Sequence, residues 1–88
     1  MNTIRIIKVD IDIVIDKSIR GDVEEWLGIQ NVHSNGNGII TASFKAPVNN
    51  YLVGKLLSFG NKVKVNSPLK LRDMLLTTIK SIEKTYRK

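Results

Sequence analysis

From Thr3 to Asp16 apolar and polar positions alternate with period two: Ile7, Val9, Ile11, Ile13 and Ile15 fall on one face, Lys8, Asp10, Asp12 and Asp16 on the other. Successive side chains of an extended chain point to opposite sides, so this spacing predicts a long strand with one buried face. Ile4, Ile6 and Val14 interrupt the polar side, which implies a second face that is partly covered or paired. The period then changes. Ile19, Val23, Trp26 and Leu27 recur at helical spacing with Asp22, Glu24 and Glu25 between them, and Gly28 stands where a helix needs a residue free to take positive φ. A short amphipathic helix from about Ser18 to Leu27 follows, weakened at Gly21 by about 1 kcal/mol relative to alanine.

Between Ile29 and Ala46 the cluster Ser34-Asn35-Gly36-Asn37-Gly38 separates two runs of strand character and predicts a hairpin. On its second arm Ile40, Ala42 and Phe44 alternate with Thr41, Ser43 and Lys45. Pro47 ends that arm, Asn49 is placed to cap a helix, and Val48, Leu52, Leu56 and Phe59 form a stripe, widened by Val53 and Leu57, that stops at Gly60. A short strand comes next, with Val63 and Val65 inward and Lys62 and Lys64 outward. Ser67-Pro68 reads as a cap and first-turn proline for the last helix, in which Leu71, Leu75, Ile79, Ile82 and Tyr86 face the core. Lys70, Asp73, Thr77, Lys80, Lys84 and Arg87 make the opposite stripe.

The order is strand, helix, strand, strand, helix, strand, helix. Two split βαβ units sharing one antiparallel sheet predict an α+β fold, a ferredoxin-like βαββαβ sandwich with an additional C-terminal helix. Residues 1–88 make one domain, since the length suffices for a single core and no linker or repeat is evident.

Composition narrows the functions open to such a domain. Without cysteine there is no disulfide, thiolate nucleophile or cysteine-bound zinc, and one histidine leaves little for acid–base chemistry. Charges interrupt every apolar run, as in Ile4-Arg5-Ile6-Ile7-Lys8, so neither a membrane span nor a signal-peptide core fits, and a cytoplasmic location is expected. A net charge of +6 makes polyanions plausible partners.

Candidate chemistry is sparse. Asp10 and Asp12 project from one strand face at roughly 7 Å, which could build a metal or acid–base pair, yet no histidine or nucleophile adjoins them and they read as solvated aspartates. Asn35-Gly36-Asn37-Gly38 is glycine-rich like a phosphate loop, but a strand follows it instead of a helix N-terminus, so it reads as a turn. His33 has no second ligand for a metal, and Trp26, although able to stack on a base, has the spacing of a core residue. No catalytic, cofactor or metal site is expected, and the chain reads as non-enzymatic. The remaining candidates for a nucleic-acid or effector surface are basic: Lys62, Lys64, Lys80, Lys84 and Arg87, with Lys88 beyond them. No aromatic is interleaved with them in the RNA-recognition manner, and a solvated basic face is the simpler account.

Leu56-Leu57-Ser58-Phe59-Gly60, then Val63 and Val65, then Pro68 and Leu71-Arg72, with Tyr86 near the end, resembles the C-terminal extension (WCX) domain of WYL-domain, helix-turn-helix bacterial transcriptional regulators. Val23-Glu24-Glu25-Trp26-Leu27 after the opening strand fits the same scheme, whereas Gly54 and Lys55 stand where a tryptophan is often found in that family. The resemblance implies the C-terminal fragment of a longer regulator, preceded by winged-helix and WYL domains, so that Met1 need not be a natural start. It further implies homodimerisation, effector sensing and contact with DNA through the full-length protein. Two alternatives stand beside it: a basic module binding single-stranded nucleic acid, and a small-molecule sensor of ferredoxin-like fold.

Overall fold

The computed structural model describes residues 7–87. Strands β1 (Val9–Ile15), β2 (Val32–Ser34), β3 (Ile40–Ala46) and β4 (Val63–Ser67) alternate with helices α1 (Arg20–Leu27), α2 (Asn50–Leu57) and α3 (Leu69–Tyr86) in the chain order β1-α1-β2-β3-α2-β4-α3. The sheet runs β2-β3-β1-β4, with every neighbouring pair antiparallel. β3 is thus inserted between β1 and β2, and β1 between β3 and β4, which is the interleaving of two split βαβ units. The fold is α+β, with α3 added after the fourth strand.

β1 is central because it alternates most cleanly. Ile11, Ile13 and Ile15 are buried, paired in register with Phe44, Ala42 and Ile40 on one side, and Ile13 and Ile15 meet Val65 and Val63 on the other. Val23 of α1, Leu52, Val53 and Leu56 of α2, and Leu71 of α3 close the core over that face. Each fully buried side chain of this size contributes roughly 1.5–3 kcal/mol, so the same layer of side chains that defines the topology also carries the stability.

Local signals set the boundaries. Asp16 accepts from the Ser18 backbone N–H at 2.9 Å and ends β1 by capping a 3₁₀ turn, Lys17–Ile19, that feeds α1. Gly28, at φ +92°, lets the chain leave α1 while its N–H still reaches the Glu24 carbonyl at 2.8 Å. In the hairpin, the Asn35 side chain accepts from the backbone N–H groups of Asn37 and Ile39 at 2.8 and 3.0 Å, an Asx-type closure. Asn49 caps α2 through the Leu52 N–H at 2.9 Å.

Several expectations are corrected. Ile7 precedes β1 and is 76% exposed, and the first hairpin arm shrinks to Val32–Ser34 because Ile29–Asn31 turns in a 3₁₀ helix. Thr3, Ile4 and Ile6 lie outside the described residues. Among those described, the outer sheet face is polar apart from Val14. α2 ends at Leu57, and the chain keeps helical dihedrals through Ser58 and Phe59 until Gly60, at φ +61°, turns it into a 3₁₀ turn, Gly60–Lys62. Pro68 itself is the cap residue of α3, with no side-chain hydrogen bond, while Ser67 belongs to β4. The largest departure is in α3. Leu71 is fully buried and Met74 and Leu75 pack partly on the core, but Ile79, Ile82 and Tyr86 are 47%, 47% and 86% exposed. The sheet is too short to reach them, so the second half of α3 projects past the core.

Candidate functional site

The acidic face of β1 is structurally engaged. Asp12 accepts from the Ser43 hydroxyl at 2.5 Å and the Ser67 hydroxyl at 3.1 Å, which ties β3, β1 and β4 together across the outer face. Asp10 lies 3.8 Å from the Lys45 ammonium, with both side chains largely exposed. Among the described residues no three acidic or histidine side chains gather where they could hold a metal. His33 sits exposed on the same face, opposite Thr41.

Trp26 is half-buried at the margin of the core, edge-on to Phe44 at 5.3 Å and tilted against Phe59 at 6.0 Å. Its ring is therefore occupied by packing. Lys55, which the sequence pattern did not single out, lies across both rings, its ammonium 5.4 Å from the Trp26 centroid and 5.3 Å from that of Phe59. The ammonium of half-buried Lys55 thus faces both rings in a cation–π arrangement.

The basic candidates divide into separate groups. Lys62, in the turn before β4, and Lys64, on β4 itself, rim a shallow recess with Val14, Asp16 and Asn61. Asp16 is the nearby anion. Its carboxyl is held below the ordinary value of 3.8, first by the Ser18 hydroxyl and backbone N–H, and then by the charges of Lys62 and Lys17. Lys64 also borders an apolar recess of about 210 Å³ between β4 and α3, lined by Val65, Arg72, Leu75, Leu76 and Ile79. Arg72, absent from the sequence-derived set, thus joins Lys64 beside the exposed stripe of α3. Lys80 and Lys84 do not line that recess. Helical spacing puts Lys80 one turn beyond Leu76 and carries Lys84 farther round α3. Arg87 is engaged locally, its guanidinium 3.2 Å from Glu83.

Two surface elements therefore coincide: an apolar stripe of Leu76, Ile79, Ile82 and Tyr86 on a helix that outreaches its core, and a basic margin of Lys64 and Arg72 beside it. A contiguous exposed apolar stripe of this kind is suited to a macromolecular contact.

Comparison with known proteins places these features. A family model described as the WCX domain matches residues 7–82. A relative from Bacillus subtilis (strain 168), described as an uncharacterized HTH-type transcriptional regulator YobV, is 33% identical over 75 residues, covering 84% of this chain and 24% of its own length. The chain thus spans about a quarter of that relative. No helix among the described residues is long and apolar enough to cross a membrane.

Proposed function

Because this chain belongs to the WCX domain family, we propose that it serves a WYL-type DNA-binding transcriptional regulator as a non-enzymatic domain that dimerises and helps to present or close an effector site. The observation that carries this reading is the projecting half of α3. Leu76, Ile79, Ile82 and Tyr86 repeat at helical spacing along a face that no element of the described domain covers. In water that face has no compensation, whereas against a second copy it is buried. An effector bound near Lys64 and Arg72 would touch the same helix, and would act by favouring one dimer arrangement over another.

Analytical ultracentrifugation of the chain over a concentration series tests the reading. The expected result is a dimer that the double substitution Ile79→Glu, Ile82→Glu converts to a folded monomer. A wild-type chain that stays monomeric at several hundred micromolar overturns it.

A second reading, a contact with single-stranded nucleic acid, is supported by Lys62 and Lys64. Among the described residues neither makes an ion pair, in a chain of net charge +6. It is compatible with the first, since the two surfaces meet at Lys64.

A further inference from the structure

β3 is seven residues long, but its outer neighbour β2 is only three, and their ladder stops at Val32 opposite Ala42. The cause is local: the Asn31 N–H, next in line to pair, bonds instead to the Gly28 carbonyl at 3.1 Å within the 3₁₀ turn. Beyond Ala42 no described strand pairs with that side of β3.

The orientation of the unpaired groups follows from the ladder. The Asn35 N–H reaches the Ile39 carbonyl at 2.9 Å, so Ile39 directs its backbone groups toward β2. Backbone groups alternate sides along a strand, and β3 keeps unbroken register with β1 from Ile40 to Ala46. Ser43 and Lys45 must therefore direct both N–H and C=O outward, away from β1. Beside them lies an open recess of about 640 Å³ that Ser43, Phe44 and Lys45 share with Trp26, Leu27 and Asn31, and that Asp10 and Asp12 of β1 also reach. Nothing in the described chain fills it.

Adjoining it on the helical side is a second cavity of about 340 Å³, walled chiefly by Trp26, Leu27, Phe44, Tyr51 and Leu52, with Lys45 at its mouth. Tyr51 is 76% exposed there. An open strand edge offering the Lys45 N–H and C=O and the Ser43 C=O, next to an aromatic cavity large enough for one bulky side chain, is the arrangement that strand addition requires.

We propose that the open half-edge of β3, from Ser43 to Ala46, docks an extended segment of a partner polypeptide carrying a bulky apolar residue flanked by carboxylates. A small molecule would use the cavity but leave the Ser43 carbonyl and the Lys45 backbone groups unmatched; a peptide backbone matches them. Pairing rules then fix the pattern. The residue opposite Phe44 shares its face and enters the aromatic cavity, while the residues opposite Ser43 and Lys45 lie on the outer face. There Lys45 is held by Asp10 only at 3.8 Å, with the two side chains 72% and 81% exposed, and Asp10 and Asp12 stand on β1, across β3 from the open edge, so a peptide carboxylate meets Lys45 from the side away from them.

The probe is the pentapeptide acetyl-Thr-Glu-Phe-Glu-Thr-amide, titrated into the ¹⁵N-labelled chain. Amide shifts of Ser43 and Lys45 report the edge, and fluorescence of Trp26, the sole tryptophan, reports the cavity. Both should move together and saturate. Replacing the peptide phenylalanine by glycine, or N-methylating both glutamate amides, should each weaken binding about tenfold or more. Lys45→Glu should weaken binding of this peptide and favour one with lysines in place of the glutamates. The proposal is overturned if millimolar peptide leaves the Ser43 and Lys45 amides unmoved, or if the N-methylated peptide binds equally well. It is likewise overturned if those amides shift with chain concentration alone, which would assign the edge to a second copy.

Discussion

The Ser67 hydroxyl, on the last residue of β4, donates to the Asp12 carboxylate in the middle of β1 across 3.1 Å, while Ser43 of β3 donates to the same carboxylate at 2.5 Å. One aspartate therefore bridges three strands, at the place where the β1–β4 register shifts between Asp12 and Ile13. Asp12→Ala should lower stability by about 1 kcal/mol, since it removes two charge-assisted but exposed hydrogen bonds. The urea midpoint should fall with its slope unchanged. An unaltered midpoint would show that water accepts from both serine hydroxyls in place of the carboxylate at no cost.

Lys55 tests stem against charge. Lys55→Met keeps the aliphatic cover over Trp26 and Phe59 and should cost at most about 0.5 kcal/mol, whereas Lys55→Ala uncovers both rings and should cost about 1 kcal/mol or more. Trp26 emission should shift to the red in the alanine variant alone. Equal destabilisation of the two variants would put the contribution in the ammonium.

Along α3, burial separates two otherwise similar aliphatic positions. Leu71→Ala should cost roughly 2–4 kcal/mol by opening a cavity under the helix. Ile79→Ala should stay within about 0.5 kcal/mol for the monomer and act on self-association instead. Thermal melts at two protein concentrations distinguish the effects, because only the second depends on concentration.

Asp16 has a carboxyl pKa below its ordinary 3.8, chiefly through the Ser18 hydroxyl and N–H, with Lys62 and Lys17 adding to it. A depressed folded-state pKa means that its stabilising contribution is complete above 3.8 and is lost as pH falls through the lower folded value. Asp16→Asn should therefore be less stable than wild type by a constant margin above 3.8, and the margin should close as pH falls from there through the lower folded value. Urea midpoints from pH 6 down to about pH 2 check this; a margin that widens on acidification would reverse the sign.

If Lys62 and Lys64 bind phosphates, the double substitution Lys62→Glu, Lys64→Glu should flatten the salt dependence of oligonucleotide binding, by about one unit of logarithmic slope for each phosphate no longer neutralised. Fluorescence anisotropy with a labelled single-stranded oligonucleotide from low to moderate ionic strength measures it. Wild-type binding that ignores salt would exclude this surface.

What could be read from the chain depended on how locally each feature is encoded. The period-two run of β1, the Asn35 turn and the Asn49 cap are short-range signals, and the α+β order followed from them. Helical spacing shows which side of α3 is apolar but not how far the core extends beneath it. Ile79, Ile82 and Tyr86 therefore looked like core and are exposed. The truncation of β2 depends on a single backbone bond from Asn31 to Gly28, which no residue pattern announces. Arg72 and Lys55 carried no local signal because their roles arise from neighbours distant in sequence, Lys64 for one and Trp26 for the other. Of the basic candidates, the fold groups Lys62 with Lys64 and leaves Lys80 and Lys84 outside the recess that Lys64 and Arg72 border.

Anchored at Leu71 and free from Ile79 onward, α3 is also a lever arm. At 1.5 Å per residue its tip at Tyr86 stands roughly 22 Å from the pivot. A tilt of about 10° at Leu71, small enough for side chains to absorb by sliding, then carries the tip through ~4 Å. Small repacking beneath the helix is thereby amplified at its far end, so that slight strain in the sheet becomes a displacement large enough to alter what touches Tyr86.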